Sequence, residues 1–307
     1  MKLTRIVIVV FAALLISGRM SAIAADKAAE TDRLSEVLIA GEDWQVVADN
    51  IGFSDGASAD GEGNMYFSDM HGKPPVIYKI APDGTKTKVA EASMSGTRTG
   101  PDGKLYACGN GKLMSFDPAT GQGTLIGDKF KTNDLILTHK GFLYLTETAK
   151  KQITLVNTKT GEAKAVDVGI NDPNGIGVSP DQTHLFVSEY GGLNIWSMAI
   201  GEDGTLSDKK SFATMKAPKD KPTVARGDGM IGDAAGRWYV TTALGIQVFD
   251  ADGQLMGILE KPQPGLNNIA LAGPNLQYLY ITCGTKVYRR KIQAKGVLGC
   301  QEPAKGK

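Results

Sequence analysis

The stretch NDPNGIGVSPDQTHLFVSEY, residues 171–190, decides the fold of this 307-residue chain. It contains the turn dipeptide Asn174-Gly175, a short apolar run, a polar turn and a second run in which apolar residues alternate. Two short strands joined by a polar turn are typical of a β-hairpin. The stretch therefore predicts an antiparallel pair whose first strand begins at Asn174-Gly175.

Similar units recur along the chain. They are SDGASADGEGNMYFSD (54–69), SGTRTGPDGKLYACGN (95–110), TNDLILTHKGFLYLTE (132–147), GDGMIGDAAGRWYVTT (227–242) and LNNIALAGPNLQYLYITC (266–283). Equivalent positions of the six units are 56, 96, 134, 175, 229 and 268, which lie 38 to 54 residues apart. A period near 40 residues is the length of a four-stranded propeller blade. The repeat predicts an all-β, six-bladed β-propeller over residues 43–296.

Hairpin turns such as PDG, DPATG, TKTG and DADG follow most units and supply third and fourth strands. The sixth unit is one strand short. We expect DWQVVAD, residues 43–49, to supply that strand and close the ring, because an open propeller exposes an unpaired edge. A pair of β-sandwiches is the alternative, but it does not explain the fixed spacing.

The ends of the chain differ from the repeats. Residues 1–24 carry a basic start, an unbroken apolar run and Ala22-Ile23-Ala24, which together predict a cleaved secretory signal and a periplasmic or secreted protein. Residues 25–42 are predicted to be a loose arm, and residues 297–307 a C-terminal tail. The formal net charge of +1 indicates neither nucleic-acid binding nor, after cleavage, membrane attachment.

Three cysteines are too few for a disulfide framework. A bridge between Cys283 and Cys300 stays open, since it would fix the tail in an oxidising compartment. Cys108 is expected to pack as a small apolar residue.

The residues that begin the inner strands share a chemistry. In a propeller these positions converge on one mouth of the central channel, and here they hold carboxylate or amide side chains. They are Asp55, Asn133, Asn174 and Asp228. Asp-Gly and Asn-Gly are also ordinary turn dipeptides, so each residue alone has a purely structural interpretation. Together they form a set of hard oxygen donors, which suits Ca²⁺ first, with Mg²⁺ or Mn²⁺ as alternatives.

These segments resemble the gluconolactonase / senescence-marker-protein-30 / luciferin-regenerating-enzyme family across nearly all of residues 44–296. The resemblance implies a six-bladed fold with one divalent cation in the channel, Zn²⁺ being a further possibility. It implies that Asn174 and Asp228 are metal ligands and that Asn133 lies near metal and substrate. It also implies that Lys131 contacts substrate, and that Asp55 replaces a longer glutamate ligand.

The expected function is therefore metal-dependent hydrolysis of a sugar-acid lactone, a small-molecule substrate. Asp228 would be a ligand and general base, and Asn133 would stabilise the developing oxyanion. We expect Lys131, Arg98 and Arg226 to give the rim positive charge for substrate. A non-catalytic propeller that binds a ligand or protein around a structural ion is the main alternative, and another ester hydrolase is the second.

Overall fold

A computed structural model describes residues 33–303, so the predicted signal segment lies outside the described residues. The described chain forms six four-stranded antiparallel sheets. The predicted all-β, six-bladed architecture is confirmed. Within residues 33–303, no helix is long and apolar enough to cross a membrane.

Each blade begins with an inner strand along the channel, followed by a second strand. The inner strands are β2 (Ser54–Ala59), β6 (Gly96–Thr99), β10 (Thr132–Leu137), β14 (Pro173–Val178), β18 (Met230–Gly232) and β22 (Leu266–Ala272). The second strands are β3 (Met65–Asp69), β7 (Leu105–Gly109), β11 (Leu143–Glu147), β15 (His184–Glu189), β19 (Trp238–Thr242) and β23 (Tyr278–Cys283).

The third and fourth strands complete the blades towards the outside of the ring. The third strands are β4 (Val76–Ile80), β8 (Lys112–Phe116), β12 (Gln152–Val156), β16 (Asn194–Ile200), β20 (Gly245–Phe249) and β24 (Lys286–Lys291). The outer strands are β5 (Lys86–Ala90), β9 (Gly123–Asp128), β13 (Ala163–Val168), β17 (Leu206–Thr214), β21 (Leu255–Leu259) and, in the sixth blade, β1 (Gln45–Ala48).

The apolar core lies between the blades. Six clusters of buried side chains fill the six junctions between neighbouring sheets. At the junction of blades six and one, Phe67 and Met65 pack with Tyr280 and Val287, and all four are fully buried. Because every blade buries both faces against its neighbours, the ring depends on each junction.

The N-terminal segment is bound to the last two blades. Gln45 of β1 pairs with Arg289 of β24 in antiparallel register. Val37 is fully buried, and Arg33 forms a 2.5 Å ion pair with Asp250 of blade five. The prediction of a loose arm over 25–42 is therefore wrong for the described residues from 33 onwards.

The C-terminal segment lies across the far end of the channel, opposite the mouth. The Gln182 side chain of blade four donates to the Gln301 carbonyl at 2.8 Å, and Leu298 packs on the junction of blades six and one. Cys283 and Cys300 are both free thiols, so the disulfide that the sequence left open does not form. Cys283 ends β23, and its thiol instead donates to the Gln263 carbonyl at 3.1 Å.

That β1 holds the ring closed stays a prediction with a direct test. A chain that begins at Gly52 should lose at least about 3 kcal/mol of unfolding free energy relative to one that begins at Arg33. The loss is expected because the truncation exposes the edge of β24 and removes the buried side chains of Ala48 and Ile51. Urea titration followed by tryptophan fluorescence measures it, and equal midpoints for the two chains would contradict ring closure by β1.

Candidate functional site

The channel mouth is built where the inner strands depart from regular pairing. The β2–β3, β10–β11 and β14–β15 ladders each shift register at their first residues, where Asp55, Asn133 and Asn174 lie. Asp228 lies two residues before β18. Such irregularities bend a strand and redirect its side chains, so these residues leave the alternation of the sheet.

A hydroxyl near the end of the second strand fixes the mouth residue of the next blade. Thr146 donates to the Asn174 carbonyl at 2.7 Å, Ser188 to the Asp228 carbonyl at 2.6 Å, and Thr241 to the Asn267 carbonyl at 2.7 Å. All three hydroxyl-bearing residues are fully buried. A buried carbonyl without a partner is costly, so these bonds determine where each mouth residue sits relative to its neighbour.

Blade two carries a thiol at the position of these hydroxyls. Cys108 is fully buried, as predicted, and its Sγ lies 3.5 Å from the Asn133 carbonyl. The stronger bond to that carbonyl comes from the Ser95 hydroxyl, at 2.7 Å. Blades one and six are exceptions: the Ser68 hydroxyl is buried without a hydrogen-bond partner in the described chain, and the Thr282 hydroxyl donates to the Asn268 carbonyl of its own blade at 3.4 Å.

Glycine follows Asn174 and Asp228 because atoms of the next blade fill the space that a side chain at position 175 or 229 would need. A Cβ on Gly175 would lie 2.3 Å from the Asp228 carbonyl oxygen, and one on Gly229 would lie 2.4 Å from Oδ1 of Asn268. In each Asn-Gly or Asp-Gly dipeptide, the first residue places a polar side chain at the mouth, and the glycine allows the neighbouring blade to approach closely.

The two mouth carboxylates share one electrostatic environment. Desolvation raises the pKa of Asp55 to about 7, the Asp134 carboxylate adds to the rise, and the Gly56 amide opposes it. Burial also raises the pKa of Asp228 well above its ordinary range, assisted by the charges of Asp55 and Asp134, while the Asn174 side chain opposes the rise. Neither Asp55 nor Asp228 forms a salt bridge with any residue of the described chain.

Arg98 lies inside the channel and not at its rim, so the predicted rim position is wrong. It is 7% exposed and donates to the Ala57 carbonyl at 2.9 Å, and its guanidinium lies 3.5 Å from Oδ2 of Asp134. In blade two the residue in phase with Asp55 is Ser95, and Arg98 lies three residues further along the inner strand, away from the mouth. Burial raises the pKa of Asp134, and the Arg98 charge opposes that shift.

The remaining predicted residues lie close to the mouth in sequence, and two carry exposed charge. Lys131 and Arg226 are exposed and form no salt bridge within residues 33–303. Arg226 adopts a left-handed backbone conformation, with φ of 56°, two residues before Asp228. Asn133 is partly exposed, and its side-chain amide has no hydrogen-bond partner in the described chain.

Sequence analysis missed a second set of carboxylates that support the mouth from behind. Each ends a second strand and accepts backbone N–H groups from the segment leading into the inner strand of its own blade. Asp69 accepts from Gly52 at 3.0 Å, Glu147 from Lys131 at 2.8 Å, and Glu189 from Asn171 at 3.1 Å. The recurring FSD, LTE and VSE endings were the available signal.

The arrangement does not supply a conventional transition-metal centre. Within residues 33–303, no three or more His, Cys, Asp or Glu side chains are grouped so that they could hold a metal ion. The mouth instead combines two carboxylates with amides, and its chemistry is that of a hard, oxygen-rich cluster.

A known family covers most of the propeller. Its characteristic region, described as SMP-30/Gluconolactonase/LRE-like, matches residues 53–285. The chain belongs to this family. A gluconolactonase of Zymomonas mobilis is 26% identical to this family member over 308 aligned residues, which cover 86% of the chain and 85% of the relative.

Solved structures share the fold of this family member. A gluconolactonase from Xanthomonas campestris superposes with a TM-score of 0.71 at 23% identity, covering 83% of this chain and 91% of that one. A calcium-binding regucalcin from Agrobacterium tumefaciens gives a TM-score of 0.69 at 19% identity, covering 84% and 96%. At these identities the likeness establishes the six-bladed architecture.

Ser188→Ala should weaken this family member by about 1–3 kcal/mol, because the substitution removes a buried donor from the Asp228 carbonyl. Ser207→Ala is the matched control, since Ser207 is exposed on β17 and its loss should cost less than about 0.5 kcal/mol. Denaturant unfolding compares the two. Equal losses would contradict a structural role for the hydroxyl between blades.

The carboxylates predict an unusual dependence of stability on pH. A carboxyl with a raised folded-state pKa binds more protons when folded, so its contribution favours the folded state at acid pH and is lost as pH rises. The quantity to measure is the unfolding free energy of the wild type minus that of Asp55→Asn, in EDTA. This difference should fall by about 2–4 kcal/mol between pH 4 and pH 7. A difference that stays flat or increases over this range would refute the shift.

Proposed function

We propose that this protein is a metal-dependent lactonase that opens the ring of a sugar-acid lactone. The observation that carries the proposal is the pair Asp55 and Asp228, two partly exposed carboxylates at one channel mouth that have no cationic partner in the described chain and whose pKa values are raised by desolvation. Membership of the family and the likeness to a gluconolactonase support the reaction class. The regucalcin likeness supports Ca²⁺ as the first ion to test.

The residues present fit a divalent cation. Bringing like charges together is unfavourable unless a proton or a cation neutralises them. Desolvation raises the pKa of both Asp55 and Asp228, and the charges of Asp55 and Asp134 add to the rise at Asp228, so a bound cation would relieve this repulsion. Asp55, Asn174 and Asp228 would hold the ion, with Asn133 beside them. All of these donors are oxygen atoms, which favours Ca²⁺, Mg²⁺ or Mn²⁺ over a thiolate-seeking metal.

When bound, a divalent cation supplies Lewis-acid polarisation of the lactone carbonyl and lowers the pKa of a nearby water. The protein must accept the proton that the attacking water loses, and Asp228 is the candidate base. A carboxylate that also binds the cation is a weak base, so Asp228 would assist proton transfer through its position beside the attacking water more than through its pKa.

The other mouth residues have separate roles in the proposal. The unpartnered amide of Asn133 can donate to the oxygen that gains negative charge, a contact typically worth about 3 kcal/mol in the transition state. The exposed charges of Lys131 and Arg226 would attract the hydroxyls or the carboxylate of the sugar acid. Water adds across the acyl C–O bond, and the product is the open hydroxy acid.

The compartment belongs to the same proposal. The predicted signal over residues 1–24 supports export to the periplasm or the cell exterior. An exported lactonase would act on lactones produced or encountered outside the cytoplasm.

The test is acid release from a panel of aldonolactones in a pH-stat, with Ca²⁺, Mn²⁺, Mg²⁺ or Zn²⁺ added to EDTA-treated protein. We expect cation-dependent hydrolysis above the spontaneous rate. Asp228→Ala should lower kcat/KM by at least about 100-fold, because it removes both a cation ligand and the base. Asp252→Ala, in an exposed hairpin turn of blade five, is the matched control and should retain wild-type activity.

The outcome also separates the alternatives. Acid release from no lactone with any cation, together with a rise in Tm on adding Ca²⁺, would replace the lactonase by a binding propeller with a structural ion. Cation-dependent cleavage of aryl esters or phosphotriesters without cleavage of lactones would move the reaction to another ester.

A further inference from the structure

Asn268 is a buried amide on the inner strand of blade six. It is 3% exposed and lies on β22 at the repeat position where blades one, two, four and five carry Gly56, Gly96, Gly175 and Gly229. Its side chain fills space that Gly229 leaves free, since a Cβ there would lie 2.4 Å from the Asn268 Oδ1. A buried amide that needs a glycine opposite it is a specific feature of this ring.

The orientation of the Asn268 amide is fixed by its neighbours. Its Oδ1 accepts the Ile269 backbone N–H at 2.9 Å, which requires the oxygen to be on that side. The Nδ2 group is thereby directed to Asp55, whose Oδ1 lies 3.3 Å away. A flipped amide would set donor against donor at Ile269 and acceptor against acceptor at Asp55.

Asn268 determines which oxygen of Asp55 stays available. Oδ1 of Asp55 accepts both the Gly56 N–H, at 2.8 Å, and the Asn268 amide. Oδ2 has no hydrogen-bond partner within residues 33–303. The carboxylate is therefore held through one oxygen while the other is left free to bind a ligand.

The support behind Asp55 includes a second carboxylate. Asp134 is fully buried, and its Oδ2 lies 3.5 Å from the guanidinium of the buried Arg98. Since Arg98 also donates to the Ala57 and Thr97 carbonyls, at 2.9 and 2.8 Å, the support beneath Asp55 is anchored to blades one and two.

We propose that Asn268 is a positioning residue that holds the Asp55 carboxylate with Oδ2 directed to the cation of the channel mouth. The inference rests on the proposed function. It accounts for the use of aspartate at position 55, because a short side chain has to be held in one rotamer to contribute to a site on the axis. Partners that orient a ligand typically change metal affinity or activity by about 10- to 100-fold.

The experiment measures Ca²⁺ binding to EDTA-treated protein by isothermal titration calorimetry, and lactone hydrolysis in parallel. Asn268→Ala should weaken Ca²⁺ binding by about 10-fold or more and lower kcat at saturating Ca²⁺, with a smaller change in KM for the lactone. Asn268→Ser repeats the test if the alanine variant does not fold, because its hydroxyl can still accept a backbone N–H but is too short to reach Asp55.

Asn64→Ala is the matched control. Asn64 is 5% exposed and donates to Asp60 at 2.8 Å, so it is also a buried amide on an aspartate, but it lies beyond the far end of β2. Its loss should lower Tm and leave the Ca²⁺ dissociation constant unchanged.

Each outcome decides one claim. Wild-type protein that neither binds Ca²⁺ nor opens a lactone contradicts the proposed function itself. Wild-type protein that does both, with a folded Asn268 variant whose Ca²⁺ affinity and kcat are unchanged, contradicts only the role of Asn268. Weaker Ca²⁺ binding in Asn64→Ala to the same degree would also overturn it, since the effect would then be one of general stability.

Discussion

The structure depends on one repeated contact, the hydrogen bond from a buried side-chain hydroxyl of one blade to the backbone carbonyl of the next blade's mouth residue. Thr146, Ser188 and Thr241 make it across three of the six junctions. At the junction of blades two and three, the partly buried Ser95 hydroxyl donates to the Asn133 carbonyl from the mouth of blade two. Apolar packing between blades stabilises the ring but does not fix how neighbouring inner strands are aligned at the channel. The hydroxyl bonds do fix this alignment, because a buried carbonyl accepts a hydrogen bond only from a donor in the right place.

This constraint explains how the mouth tolerates its own electrostatics. Burial raises the pKa of both Asp55 and Asp228, the charge of Asp55 adds to the rise at Asp228, and the charge of Asp134 adds to both. Because the Asp228 carbonyl is tied to Ser188 and Asp55 is held by Gly56 and Asn268, the carboxylates stay together. The ring thus holds the like-charged carboxylates of Asp55 and Asp228 near each other. A cation that binds between such groups stabilises the folded protein strongly.

The sequence predicted the architecture well because spacing and alternation are local signals. The same signals placed Asp55, Asn174 and Asp228 at the starts of inner strands, and their role as cation ligands stays a prediction. Arg98 was misplaced because blade two has Ser95, and not an acidic or amide residue, in the position equivalent to Asp55, and Arg98 lies three residues further along the inner strand. Asn268, Glu147 and Glu189 act through contacts between segments distant in sequence or across a blade. The spacing of residues in the sequence does not show which of these contacts form. The repeated acidic residues at the ends of the second strands could, however, be seen in the sequence.

The central claim is that side chains from blades one, four and five gather around one cation on the channel axis. The most direct measurement is a crystal structure of Ca²⁺-loaded protein with anomalous data collected at long wavelength. The account predicts one anomalous peak within about 2.3–2.6 Å of oxygen atoms from Asp55, Asn174 and Asp228. A peak bound elsewhere, or a mouth without a peak at saturating Ca²⁺, would contradict it.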